Sequence, residues 1–242
     1  MRRYKNKEEV LKRAKEAIGK TLGELGARDI IKNRKGIPGR TVESYMGCDN
    51  NNKPAPDIKN LGIEIKATAV YFSKKYNMYI AKYRLVCEYI NYWLEAGKSF
   101  KDSSFLKKCG KLLIFQYEVR KGVPPEQYKI VSVIYWDLEK DIFEIIEKDY
   151  IVIQNKIMSG QAHNISEGDT VVLGACTKGS GKSYYTTQPF SDILAKRRAF
   201  CIKLQFMREL TRLIFSGELK NKNIIAFVDK ECLARIREGR TA

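Results

Sequence analysis

Hydrophobic positions recur along this chain with two periods. Over residues 7–25, KEEVLKRAKEAIGKTLGEL, Val10, Ala14, Ala17, Ile18, Leu22 and Leu25 return at helical spacing. Asn6 is placed to cap that helix and Gly26 to end it. NRKGIPGRTVESYMG follows as a Gly/Pro-punctuated loop running into a short helix that holds Glu43, and CDNNNKPAP reads as a polar loop. Residues 62–71 alternate as a strand, with Ile63 and Ile65 to one face and Glu64 and Lys66 to the other. A second extended run is predicted over 78–90, and strong strands over 111–119 and 129–136. Ile142, Ile145, Ile146, Ile153 and Ile157 give a helix over 141–158 its apolar side. TVVLGACT and RAFCIK read as strands, and QFMRELTRLIF as a helix.

Strands and helices mix without strict alternation. This pattern predicts an α+β chain with a mixed central sheet flanked by helices, rather than a doubly wound fold. A length of 242 residues suits one large domain. Residues 1–217 are predicted to form it, and 218–242, basic and less patterned, a tail or a linker to a further half.

Composition narrows the chemistry. No apolar run reaches a membrane span of roughly 18 residues, and the charged start MRRYKNKEEV lacks a secretory signal, so a cytoplasmic protein with no membrane partner is expected. None of the six cysteines forms a CxxC pair, which disfavours zinc and predicts free, buried thiols. A lone histidine, His163, leaves little room for His-dependent nucleophilic chemistry. Hydrolysis here would run on carboxylates, lysine and a bound metal. The net charge of +17 points to nucleic acid. GSGKS, residues 179–183, is no phosphate loop: the first glycine of that motif would fall at Cys176, and no helix start follows.

Asp57, Glu64 and Lys66 form a D-x6-E-x-K pattern. Two acids converging from a loop and a strand can hold a divalent ion, and an amine on the same strand face can touch the attacking water or the developing charge. A solvated strand face carries the same pattern by chance. The surroundings decide between them. KGIPGRTVES followed by KPAPDIKNLGIEIKAT resembles the MutH family, which includes the mismatch-repair nicking endonuclease and type II restriction enzymes that cut 5′-GATC. The likeness continues through SSFLKK, DYIVIQNKIMSGQAHNIS and CTKGSGKS…QPFSDILAKRRAFCIK, covering residues 10–215, and is nearer to the restriction branch.

The resemblance implies a PD-(D/E)xK restriction-endonuclease-like fold and a Mg²⁺-dependent nuclease on duplex DNA, with Mn²⁺ as a substitute. It implies Glu43, Asp57 and Glu64 as metal ligands, Lys66 as the active-site lysine, and Lys108 as a further lysine near the scissile phosphate, with Lys107 competing. Lys35 matches a DNA-contacting lysine, and the Lys178 segment matches a loop that enters the groove. Where the repair protein has Arg-Pro before that lysine, this chain has Cys176-Thr177. The basic cluster Lys178, Lys182, Lys196, Arg197, Arg198, Lys203, Arg208 and Arg212 is expected to grip phosphates. A homodimer, or a second MutH-like half, is the expected protein partner. A partner-activated nickase and a non-catalytic DNA-binding module are the alternatives.

Overall fold

A computed structural model describes residues 2–27, 36–48, 54–179 and 181–239. In chain order the elements are α1 (Lys7–Lys15), α2 (Ile37–Tyr45), β1 (Ile63–Ser73), β2 (Met78–Ala81), β3 (Leu85–Tyr89), α3 (Tyr92–Glu95), α4 (Ser104–Cys109), β4 (Lys111–Glu118), β5 (Lys129–Asp137), α5 (Phe143–Met158), β6 (Leu173–Thr177), β7 (Tyr185–Gln188), β8 (Ser191–Lys196), β9 (Arg198–Ile202), α6 (Leu204–Ser216), β10 (Ile224–Val228) and α7 (Lys230–Glu238).

The central sheet has the order β10-β5-β4-β1-β2. Only the β1–β4 pair in it is parallel, so the sheet is mixed, as the fold class predicted. A second sheet, β3-β9-β6, and a β7–β8 hairpin complete the strands. Alternation along β1 sorts its side chains. Ile63 and Ile65 join Leu113, Phe115, Val133 and Tyr135 beneath Val10, Ala14 and Val42 of α1 and α2. Leu112, Ile114, Ile134 and Trp136 belong to a second core with α5, α6 and the three-stranded sheet. Two polar devices lock these layers. Gln116 donates to Thr211 Oγ1 at 2.9 Å and accepts from Ser132 Oγ at 2.6 Å, tying β4, β5 and α6. The buried Asp149 carboxylate accepts from the N–H groups of Val171, Val172 and Leu173, at 2.8, 2.6 and 2.8 Å, which fixes the entry of β6 on α5.

Three expectations need correction. The first helix ends at Lys15, not near Leu25. Beyond it the backbone docks on β5: Gly19 N–H donates to Ile130 O, Ile130 N–H to Lys20 O, and Leu22 N–H to Tyr128 O, each at 2.9 Å. Ala17, Leu22 and Leu25 stay buried, so the apolar pattern was kept while the helix was not. The run 78–90 splits, with β2 in the central sheet and β3 pairing with β9 in the second. Residues beyond 217 are no tail. β10 pairs with β5, Asp229 caps α7 through the Glu231 N–H at 2.8 Å, and Cys232 and Ile236 enter the core. All six cysteines are buried thiols outside any disulfide. Among the described residues, no helix is long and apolar enough to cross a membrane.

Candidate active site

The D-x6-E spacing has a local cause. Lys59–Leu61 form one turn of 3-10 helix, and Gly62 adopts the left-handed conformation at φ 66° that closes it. Ile58 then pairs back on Ile63. This turn delivers Asp57 to β1, where its Oδ2 accepts from the Ile65 N–H at 2.9 Å. Asp57 is thereby pinned beside Glu64.

Glu64 is buried, at 3% exposure. Its Oε1 lies 2.6 Å from Lys66 Nζ and 3.9 Å from Lys108 Nζ. Its Oε2 is buried with no hydrogen-bond partner. Lys108 reaches this point because β4 runs parallel to β1. Ile63 stands opposite Lys111, so the last turn of α4 sits at the same end of the sheet as Glu64. Lys107 instead turns outward to Asp102, at 3.4 Å, so of the two lysines it is Lys108 that stands beside Glu64.

Electrostatics distinguish the members. Burial, and then the Asp57 charge, push the Glu43 carboxyl up to about 7. Burial also raises Glu64, against the opposing pull of Lys66. For Lys66, burial acts to lower the pKa, but the Glu64 carboxylate and its hydrogen bond overcome it and hold the ammonium charged. Among the described residues, no three His, Cys, Asp or Glu side chains stand as a set that could hold a metal ion. The three-acid set expected from the sequence is therefore not assembled as it stands. The donor chemistry still fits a hard cation: carboxylate oxygens only, one of them buried and unpartnered.

Sequence reading missed Glu88. It stands on β3, and its Oε2 lies 2.7 Å from Lys108 Nζ. No sequence pattern marked it, because this contact joins helix α4 to a strand of the second sheet.

The DNA-facing candidates separate. Lys178 follows β6, and its N–H donates to Arg197 O at 2.7 Å; Arg197 is exposed. Arg198 is a correction. Strand alternation turns it inward to 7% exposure, and its guanidinium donates to Ala175 O at 2.6 Å and to Ile165 O. Lys203 is half-buried with its ammonium on Thr170 O. Arg208 and Arg212 lie on α6, lining a cleft of about 670 Å³ with Tyr76 and Met78, which none of the catalytic candidates lines. Arg212 is paired with Glu209 and Glu218. Lys35 and the Lys182 side chain lie outside the described residues.

The family described as "DNA mismatch repair enzyme MutH" matches residues 46–149, a span that contains Asp57, Glu64, Lys66, Glu88 and Lys108. The type II restriction enzyme Sau3AI of Staphylococcus aureus is 38% identical over 93% of this chain and 46% of its own length. Over residues 46–149 the chain is similar to MutH. The MutH mismatch-repair protein of Serratia proteamaculans is 26% identical over 83% of this chain and 90% of its own length. That of Shewanella woodyi is 25% identical, over 84% and 90%. The chain thus spans about half of the restriction enzyme and nearly all of the repair proteins. A solved complex of the restriction endonuclease MvaI with cognate DNA aligns at a TM-score of 0.36, with 13% identity over 91% of this chain and 95% of the other.

Proposed function

We propose that this chain is a divalent-metal-dependent, sequence-specific endonuclease that hydrolyses phosphodiesters of duplex DNA, with GATC as its site. The observation that carries the reading is the triad at the start of β1: Asp57, in the preceding turn, held on the Ile65 N–H, with Glu64 and Lys66 in contact at 2.6 Å beside it. The likeness to a type II restriction enzyme over 93% of the chain supports it.

Asp57 and Glu64 are the carboxylates assigned to the cation, with Glu43 next to them. Mg²⁺ is the proposed ion and Mn²⁺ its substitute. When bound, such an ion neutralises phosphate charge and lowers the pKa of water. Lys66, kept charged by Glu64, donates hydrogen bonds to phosphate oxygens as negative charge builds there. Lys108 adds a second ammonium to the same side. Glu43, near neutrality in its titration, can take up or release a proton at physiological pH. Lys178 and Arg197 are assigned to the DNA backbone, and Lys35 and Lys182 to it by the resemblance alone. The cytoplasm, where unprotected DNA enters, is the proposed location.

A second reading has its own support. The chain spans 90% of the Serratia MutH protein, so nicking of one strand is the competing outcome. Supercoiled plasmids with and without GATC, in Mg²⁺ or EDTA, separate the two: linear product indicates double-strand cutting, open circles nicking. Lys66→Ala should lower cleavage on the order of 10³-fold while retaining duplex binding. Wild-type cleavage by Lys66→Ala sinks the assignment.

A further inference from the structure

Glu88 and Glu64 approach one lysine from two different sheets. Glu64 stands on β1 in the five-stranded sheet and Glu88 on β3 in the three-stranded one. Lys108 Nζ lies 2.7 Å from Glu88 Oε2 and 3.9 Å from Glu64 Oε1, and the Lys108 and Glu88 side chains keep only 13% and 17% exposure. A lysine has four rotatable bonds and no fixed direction of its own. Clamped between two carboxylates with little solvent, its ammonium is confined to one place. A partly buried carboxylate such as Glu88 is costly unless paired, so its position on β3 serves that lysine.

The strand that carries Glu88 also leads to a cleft that Arg197 lines. Tyr89, next in sequence, is 65% exposed. It lines a cleft of about 330 Å³ with Trp93, Thr187 and Arg197. β3 pairs with β9 and β9 with β6, which ends one residue before Lys178. The same sheet therefore leads into Lys178 at one edge and carries Glu88 at the other.

We propose that Glu88 is a positioning residue for cleavage: it holds Lys108 against Glu64, and makes the placement of that ammonium depend on the sheet that carries Lys178. The proposal rests on the endonuclease reading above. It goes beyond that reading by giving a role to a residue on a separate sheet. Glu88 touches no reacting atom and acts only through Lys108.

The test is single-turnover cleavage of a saturating GATC duplex by wild type, Glu88→Gln, Lys108→Ala and the double variant, with duplex affinity and melting temperature measured alongside. Glu88→Gln should cut roughly tenfold or more slowly, with affinity and melting temperature nearly unchanged. Its loss should not multiply with that of Lys108→Ala, because both remove one unit. Glu88→Asp, which keeps the charge on a shorter stem, should cut at an intermediate rate. Wild-type cutting by Glu88→Gln or Glu88→Asp overturns the proposal. So do multiplying losses, or a rate loss that merely follows a fall in affinity or melting temperature. A wild-type protein that cuts no DNA overturns the endonuclease reading along with it, whereas an active wild type with an indifferent Glu88→Gln overturns this proposal alone.

Discussion

Glu43 ionises later in the folded protein than in an unfolded chain, because burial and the Asp57 charge both disfavour its carboxylate. Between its ordinary value of 4.5 and about 7 the folded state binds the extra proton. Stability therefore falls as pH rises through that window. Below it both states are neutral at this site and the cost vanishes. Glu43→Gln should thus melt with wild type at pH 4 and above it at pH 8, a gain of about 1 kcal/mol once solvent screening of a partly buried group is allowed for. Equal melting shifts at both pH values would count against the assigned titration. At this scale the sequence was readable where the cause was local. The turn through Gly62 and the alternation of β1 bring Asp57, Glu64 and Lys66 together within ten residues. Lys108 needed the family resemblance, since its approach depends on a parallel pairing. Glu88 was invisible, and Arg198 misled, because charge in a sequence does not say whether backbone carbonyls will receive it.

Elements were legible by their periodicity, and their ends and partners were not. Apolar spacing over 7–25 marked a buried stretch correctly, yet hydrogen bonds to β5 replaced the last turns of the expected helix. The closing segment shows the opposite error. KNIIAFVDKECLARIRE is too short and too charged to stand out, but strand β10 and helix α7 find a ready sheet edge and a ready groove. Lys129 pairs with Asp229 at 2.9 Å and with Glu231 at 2.6 Å, and Arg235 with Glu118 at 3.1 Å. A chain cut after Gly217 loses all of this and bares one edge of β5. The burial of Ile224, Cys232 and Ile236 alone is worth on the order of 5 kcal/mol. Such a chain should show no cooperative thermal transition by circular dichroism. A sharp melt near that of the longer chain would show the segment to be dispensable.

A net charge of +17 pointed to a polyanionic partner, and at the scale of the molecule the structure divides that charge by job. Arg212 is spent on Glu209 and Glu218, and Arg198 on two carbonyls, whereas Arg197 is exposed beside Lys178. The slope of duplex affinity against salt should accordingly fall by about 1 in Arg197→Ala. In Arg198→Ala the slope should hold while the melting temperature drops. Binding titrations over a salt series read both, and an unchanged slope in Arg197→Ala would remove it from the phosphate contacts. Such a division could not be read in advance, because it depends on which strand face each arginine occupies.

The parallel ladder between β1 and β4 has one more implication. Its two strands are separated along the chain by the whole of β2, β3, α3 and α4, so a long loop must close before the first rung can form. Asp57, Glu64 and Lys66 can find one another early and locally, but Lys108 arrives only when that loop has shut. The order of assembly expected from that closure puts the acids in place before the second ammonium.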